Sequence, residues 1–269
     1  MNFNVMTMDL WRLRLMVPAL WSVLFAPAWG QASTSGTQGW LRILPVGDAP
    51  PFRQEIREGV RHELDTPEGA LPPRELTVPV RKGKDDSEEN VRLNLGRVSQ
   101  AVPVGAGPLI LSDAQKGDDP EGWAKIRMPE RSAALAIMFR DPRGKSWESV
   151  LSIVLPDDST SFPAGRVRFV NASPFALSVM FQGKRTVMKP GQVMLRQPAR
   201  GGVMRDEHLQ LVVRDANGRT TRIFDATVSQ DSGERSNVII HWADGENPRR
   251  PARVLLQREP PVTRRSDRG

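Results

Sequence analysis

"GRVRFVNASPFALSVMFQGKRTVMKPGQVMLR", residues 165–196, decides how this chain is built. Val167 and Phe169 alternate with Arg166 and Arg168, and Leu177, Val179 and Phe181 alternate with Ser178 and Met180. A period of two belongs to strands with one buried face. Asn171, Ser173 and Pro174 break the first run, Gly183-Lys184 reads as a hairpin turn, and Pro190-Gly191 as the next turn. The stretch therefore predicts strand, hairpin, turn and strand within one sandwich.

The same texture extends outward. From Trp40 onward short apolar runs are cut by Gly, Pro, Asn and Asp, with no sustained helical stripe. Strands are predicted at 41–46, 75–80, 91–98, 108–111, 124–128, 133–140, 149–155, 166–171, 177–182, 186–189, 192–196, 209–214, 220–228, 237–242 and 253–256. Residues 52–63 place Phe52, Ile56 and Val60 at helical spacing, but Gly59 and the surrounding prolines favour strand and loop. The fold class expected is all-β: two antiparallel, immunoglobulin-like β-sandwich modules, at 36–158 and 162–258. They follow a signal peptide (1–32) and precede a disordered Arg-rich tail (259–269). One larger sandwich is the competing organisation.

Two short stretches repeat each other, "FRDPRGKS" (139–146) and "VRDANGRT" (213–220). Gly144-Lys145-Ser146 resembles the end of a phosphate loop. However, Phe139 stands where such a loop needs glycine, and "WESVLSIVL" alternates like a strand where it needs a helix. Asp before a turn and Gly within it make both copies tips of antiparallel hairpins, the second through an Asn217-Gly218 type I′ turn. A second correspondence links "WLRILPVGDAPPF" with "GRVRFVNASPFAL". Duplication with an insertion in the first copy fits it, and so does coincidence of β composition.

Residues 165–196 resemble exported bacterial immunoglobulin-like β-sandwich modules, in which a strand ending Val-x-Asn-x-Ser/Thr-Pro leads to an edge hairpin and then Lys-Pro-Gly-Gln. The resemblance implies a fold; many such modules have no assigned activity. The stretch is also distantly similar to the opening of periplasmic pilus-subunit chaperones, which pair two such domains around a basic cleft. There the pattern begins the mature chain; here it begins the second half.

Arg12 and Arg14, the apolar run 15–25 and the small residues Ala26, Ala28, Gly30 and Ala32 read as a secretory signal peptide, cleaved after Ala32. Initiation at Met8 would leave a more compact signal. The chain has no cysteine, hence neither disulfides nor a lipoprotein anchor. The mature protein is expected to be soluble, periplasmic or secreted, with no membrane span. Its net charge of +7 invites a nucleic-acid reading, but only seven of 38 basic residues are lysine and they are interleaved with 31 acids. Export and dispersion argue against nucleic acid. The C-terminus differs: Arg249, Arg250, Arg253, Arg258, Arg264, Arg265 and Arg268 stand against two acids. It is read as a solvated tail or an attachment to an anionic envelope polymer.

Catalytic, cofactor and metal sites are all expected to be none. His62, His208 and His241 are isolated, with no zinc spacing. No serine lies in a nucleophile elbow. The acidic stretches 82–90 and 113–122 lack the alternating oxygen spacing of a calcium loop. Asn171-Ala172-Ser173 is formally a glycosylation sequon, followed by Pro174. Trp123 or Trp147 could serve a sugar platform, although core packing is the commoner role. The function expected is a non-enzymatic envelope binding or assembly module, whose partner is another exported protein or an envelope polymer. The rivals are a hydrolase with a site assembled from distant residues, and a subunit chaperone.

Overall fold

A computed structural model of the chain describes residues 39–82, 85–117, 119–130, 133–144, 146–197, 204–214, 218–244 and 248–259. The expected signal peptide and residues 260–269 lie outside them. The first half contains β1 (Gly39–Val46), β2 (Gln54–Arg57), β3 (Val60–Glu63), β4 (Glu75–Lys82), β5 (Asp85–Arg92), β6 (Val102–Val104), β7 (Gly107–Asp113), β8 (Ala124–Met128), β9 (Ala133–Arg140) and β10 (Val150–Pro156). The second contains β11 (Val167–Ala172), β12 (Ala176–Phe181), β13 (Lys184–Met188), β14 (Val193–Arg196), β15 (Met204–Arg214), β16 (Thr220–Asp231), β17 (Arg235–Trp242) and β18 (Ala252–Glu259). All regular structure among the described residues is β. The strands form four four-stranded sheets, ordered β10-β9-β1-β6, β5-β4-β7-β8, β14-β11-β17-β18 and β13-β12-β15-β16, plus the separate β2–β3 hairpin.

The halves repeat one another. Replacing β1 by β11, β4–β10 by β12–β18 in order, and omitting β2–β3, converts the first two sheet orders into the last two. Even the pair that departs from the expected antiparallel pattern recurs: β1 runs parallel to β9, and β11 runs parallel to β17. Turn geometry repeats too. Gly96 N donates to Pro45 O at 2.8 Å and Gly191 N to Asn171 O at 2.8 Å. Both glycines have φ +74°, a left-handed conformation that costs a β-carbon strain. Registering on these bonds sets "LRILPV" (41–46) over "VRFVNA" (167–172). Duplication accounts for all of this at once. The insertion is the segment 47–74, where the second copy has only 173–175.

Four sheets stack in layers. One core lies between β5-β4-β7-β8 and β10-β9-β1-β6, with Ile43, Val78, Leu111, Ile126 and Met138 inside. Another lies between the second copy's two sheets, around Phe169, Phe181, Leu211 and Ile240; there Phe169 and Phe181 meet edge to face at 5.4 Å. A third core joins the two middle sheets: Leu44, Val46, Leu135, Ile137 and Leu155 pack with Val170, Ala172 and Ile239. Each middle sheet is therefore buried on both faces, which is why β9 (AALAIMFR) and β17 (RSNVIIHW) are continuously apolar through their centres. The outer sheets alternate instead, as in β8 (AKIRM).

At one end the middle layer is closed by charge. Arg42 and Arg168, equivalent in the two copies, converge with Asp157 and Glu259, the acids equivalent at the ends of β10 and β18. Arg235 pairs with Glu259, and the guanidinium carbons of Arg168 and Arg235 lie 4.1 and 5.1 Å from the Phe162 ring centroid. Arg168 spends its donors on Asn237 Oδ1 (2.8 Å), Pro156 O (2.7 Å) and Asp157 Oδ1 (3.3 Å). Burial still pulls its pKa down to about 10, so it remains charged at neutral pH.

Several strand limits differ from expectation. The acidic run 85–90, where no strand was expected, is the edge strand β5, where charge discourages further pairing. The strand expected at 91–98 stops at Arg92, because Asn94 to Arg97 form the turn that carries Gly96. The hairpin turn expected at Gly183-Lys184 sits at Gln182-Gly183, with φ +54° and +68°. Residues 52–63 are the hairpin β2–β3, turned by Glu58-Gly59. Glu259, expected in the tail, is the last residue of β18 and pairs in register with Arg235.

Candidate functional site

β10 and β14 are edge strands, each hydrogen-bonded on one side only among the described strands. In β10, Leu151, Ile153 and Leu155 share the face turned toward the second copy, the face that carries Leu155 into the shared core. In β14, Val193 pairs in register with Val170 and Leu195 with Arg168, so both face the same layer from the opposite sheet. Towards one end the layer is open. A cleft of about 470 Å³ is lined by Phe139, Leu151, Ile153, Ala172, Pro174 and Pro190, with Asp141 and Arg143 among its polar lining. Leu151, Val193 and Leu195 are 39%, 37% and 36% exposed.

The equivalent position in the other copy carries charge instead. Register places Arg253 of β18 where β10 has Leu151. Arg253 Nε donates to Asp48 Oδ2 at 2.9 Å, the same oxygen accepts from Asp244 N at 3.0 Å, and Arg140 bonds Asp244. His241 replaces Phe139 there; burial holds its pKa below the usual imidazole range, and Nδ1 lies 2.8 Å from Trp242 O. One edge of the layer is thus apolar and open, and its counterpart carries ion pairs.

The residues singled out from the sequence scatter. His62, His208 and His241 lie on three different sheets, and His208 faces Asp225 at 2.8 Å. Among the described residues no three His, Asp or Glu side chains gather as metal ligands. Asp113 Oδ1 and Asp119 Oδ1 accept the amides of Gln115 and Glu121, both at 3.0 Å, which ties the acidic loop 113–122 into turns. Asn171 is fully buried; its Nδ2 donates to Phe175 O at 2.8 Å and its Oδ1 accepts from Ser173 Oγ at 2.7 Å, so the sequon is a structural joint. Trp147 is 1% exposed and Trp123 half-buried.

The two Arg-Asp copies do tip the hairpins β9–β10 and β15–β16, yet these hairpins are not equivalent, since β17–β18 is the counterpart of β9–β10. Their likeness is one of sequence, at hairpins that do not correspond. At the first tip Asp141 Oδ1 accepts from Arg143 N at 2.9 Å, and Gly144 lacks the positive φ expected of it. Lys145 and residues 215–217 lie outside the described residues; Gly218 has φ +78°. Arg250 and Arg253, counted with the basic C-terminus, bond Ile223 O and Asp48 within the fold.

Leu151 in the cleft and Val193 near it were missed because both read in sequence as ordinary strand residues; only the sheet order makes them edge positions. No protein-family model matches the chain, and a search of curated proteins gave no match. Fold and site together define a two-copy β-sandwich protein with an open cleft between its copies. No helix among the described residues is long and apolar enough to cross a membrane.

Proposed function

We propose that the chain is an exported, non-enzymatic binding module that takes up an extended segment of another exported polypeptide in the cleft beside β10, next to the turn that leads into β14. The observation that carries this reading is the pairing of two free strand edges with apolar side chains spaced two residues apart, Leu151 with Ile153 and Val193 with Leu195. A free edge offers backbone amides and carbonyls to an added strand, and alternate pockets receive alternate side chains. The resemblance to exported immunoglobulin-like modules and the signal-peptide pattern support the same reading from the sequence.

An octapeptide of alternating valine and threonine is the test probe, followed by amide NMR of the purified protein. Shifts confined to Leu151–Leu155 and Val193–Arg196, lost in Leu151→Glu and absent for the same peptide with proline at its centre, are expected. Shifts elsewhere, or none at about 1 mM peptide, would rule the reading out.

A further inference from the structure

The first copy carries structure that its sandwich does not need. The second copy builds the same eight-strand pattern with 173–175 in place of 47–74, and with 215–219 in place of 114–123. Both additions, with the β9–β10 connection, converge on a second cleft of about 530 Å³, within the ~300–1,000 Å³ range of small-ligand sites.

We propose that this cleft is a carbohydrate-binding site, with Trp123 as the face on which a sugar ring stacks. Trp123 is fixed in place: its backbone N donates to Leu111 O at 2.7 Å and its Nε1 to Trp147 O at 2.7 Å. Trp147 lies behind it, ring centroids 6.4 Å apart at 25°. The indole is half-buried, supported on one side and in the cleft lining, and its own N–H is already used. What it offers a ligand is an apolar ring face.

Around that face stand Glu68, Arg74, Asp113, Lys116 and Glu148, with Lys116 Nζ 3.6 Å from Glu148. Three carboxylates against two bases produce little net field, which disfavours phosphates and other strong anions. They supply donors and acceptors in several directions. A pyranose asks for that combination: a C–H face for the ring and a rim of hydroxyls that each donate and accept. The lining also holds a buried donor without an acceptor among the described residues, Nε1 of Trp147.

The wall opposite is built to close tolerance. Gly69 O accepts from Trp147 N at 2.7 Å, and a β-carbon on Gly69 would meet Ser146 Cβ at 2.7 Å. Only glycine lets the inserted segment approach the tryptophan loop this closely, and its φ of +70° excludes ordinary side chains as well. The inserted segment is therefore held against the aromatic pair and bounds the cleft.

The test is titration of the purified protein with chitotriose, cellotriose and maltotriose, read by tryptophan fluorescence and by saturation transfer from protein to sugar. At least one should bind saturably below about 10 mM. Trp123→Leu should weaken it about tenfold or more. Because Trp123 also packs, Arg74→Ala is the companion: it should weaken binding with an unchanged Tm, since Arg74 is exposed. The valine–threonine octapeptide should not compete, as it addresses other residues. Failure of all three sugars, an unchanged affinity in Arg74→Ala and Trp123→Leu, or competition by the peptide would each overturn the proposal and leave the β10–β14 reading to its own test.

Discussion

Asn171 and Glu259 show how single residues hold the duplicated frame. Asn171 stands where the first copy has Pro45, and it alone ties the end of β11 to Phe175 O, Ser173 and Met188 O. Asn171→Ala would strand buried partners and is expected to cost about 1–3 kcal/mol, measured by urea denaturation. Glu259 is pushed up by burial but pulled further down by Arg42 and Arg235, so its folded pKa lies below the usual carboxylate range. A depressed carboxylate contributes stability that is complete above its unfolded pKa of about 4.3 and lost as pH falls through the folded value. Wild type should therefore lose its advantage over Glu259→Gln as pH drops below about 4.3. A constant difference in midpoint down to acid pH would show that the ion pairs are not coupled to folding. Little of this was legible beforehand. Arg42, Arg168, Asp157 and Glu259 are unremarkable charges in sequence; only the folding of equivalent strands onto one another brings them together.

At the scale of elements, alternation did most of the work. It located β8, β12 and most of the outer strands, because those have one wet face and show it as a period of two. In the middle sheets it placed β11 through Val167 and Phe169 but wrongly gave that strand one buried face, since Arg168 and Val170 are buried too; two dry faces erase the period in the others. It misjudged β5, because an edge strand tolerates a run of acids that looks like loop. Gly218 is the element-scale test. Its φ of +78° is strongly disfavoured for a β-branched residue, so Gly218→Val should destabilise the fold by about 1–2 kcal/mol, read as a lowered denaturation midpoint, without altering either cleft. Replacing residues 47–74 by a Ser-Pro-Phe link, as at 173–175, should keep the four sheets folded while abolishing sugar binding. Loss of the sheets' β circular dichroism in that variant would make the insertion part of the frame.

For the whole molecule the shared core decides cooperativity. Separating the copies would expose eight buried apolar residues, at roughly 1.5–3 kcal/mol for each large one. That sum is on the order of 10 kcal/mol, comparable to the net stability of an entire domain. A single thermal transition is expected, with calorimetric and van't Hoff enthalpies equal; two resolved transitions would refute the coupling. Export is checked by intact mass, which should show a chain beginning just after Ala32. The sequence carried the β class and hinted at the repeat through residues 40–52 and 165–177, but not at its register. It could not carry the stacking, because sheet order is set by strands far apart along the chain.

The charged edge has a consequence for valency. Two identical subunits meeting through this face would carry two identical clefts, and such a pair would bridge any ligand with two recognition segments into chains or networks. With both copies on one chain, Arg253 and Asp48 could place charge on one edge while Leu151 left the other apolar and open. On the proposed reading, one polypeptide cleft is presented per chain. Such a chain should occupy its partner one to one and terminate an assembly where a symmetric dimer would propagate it.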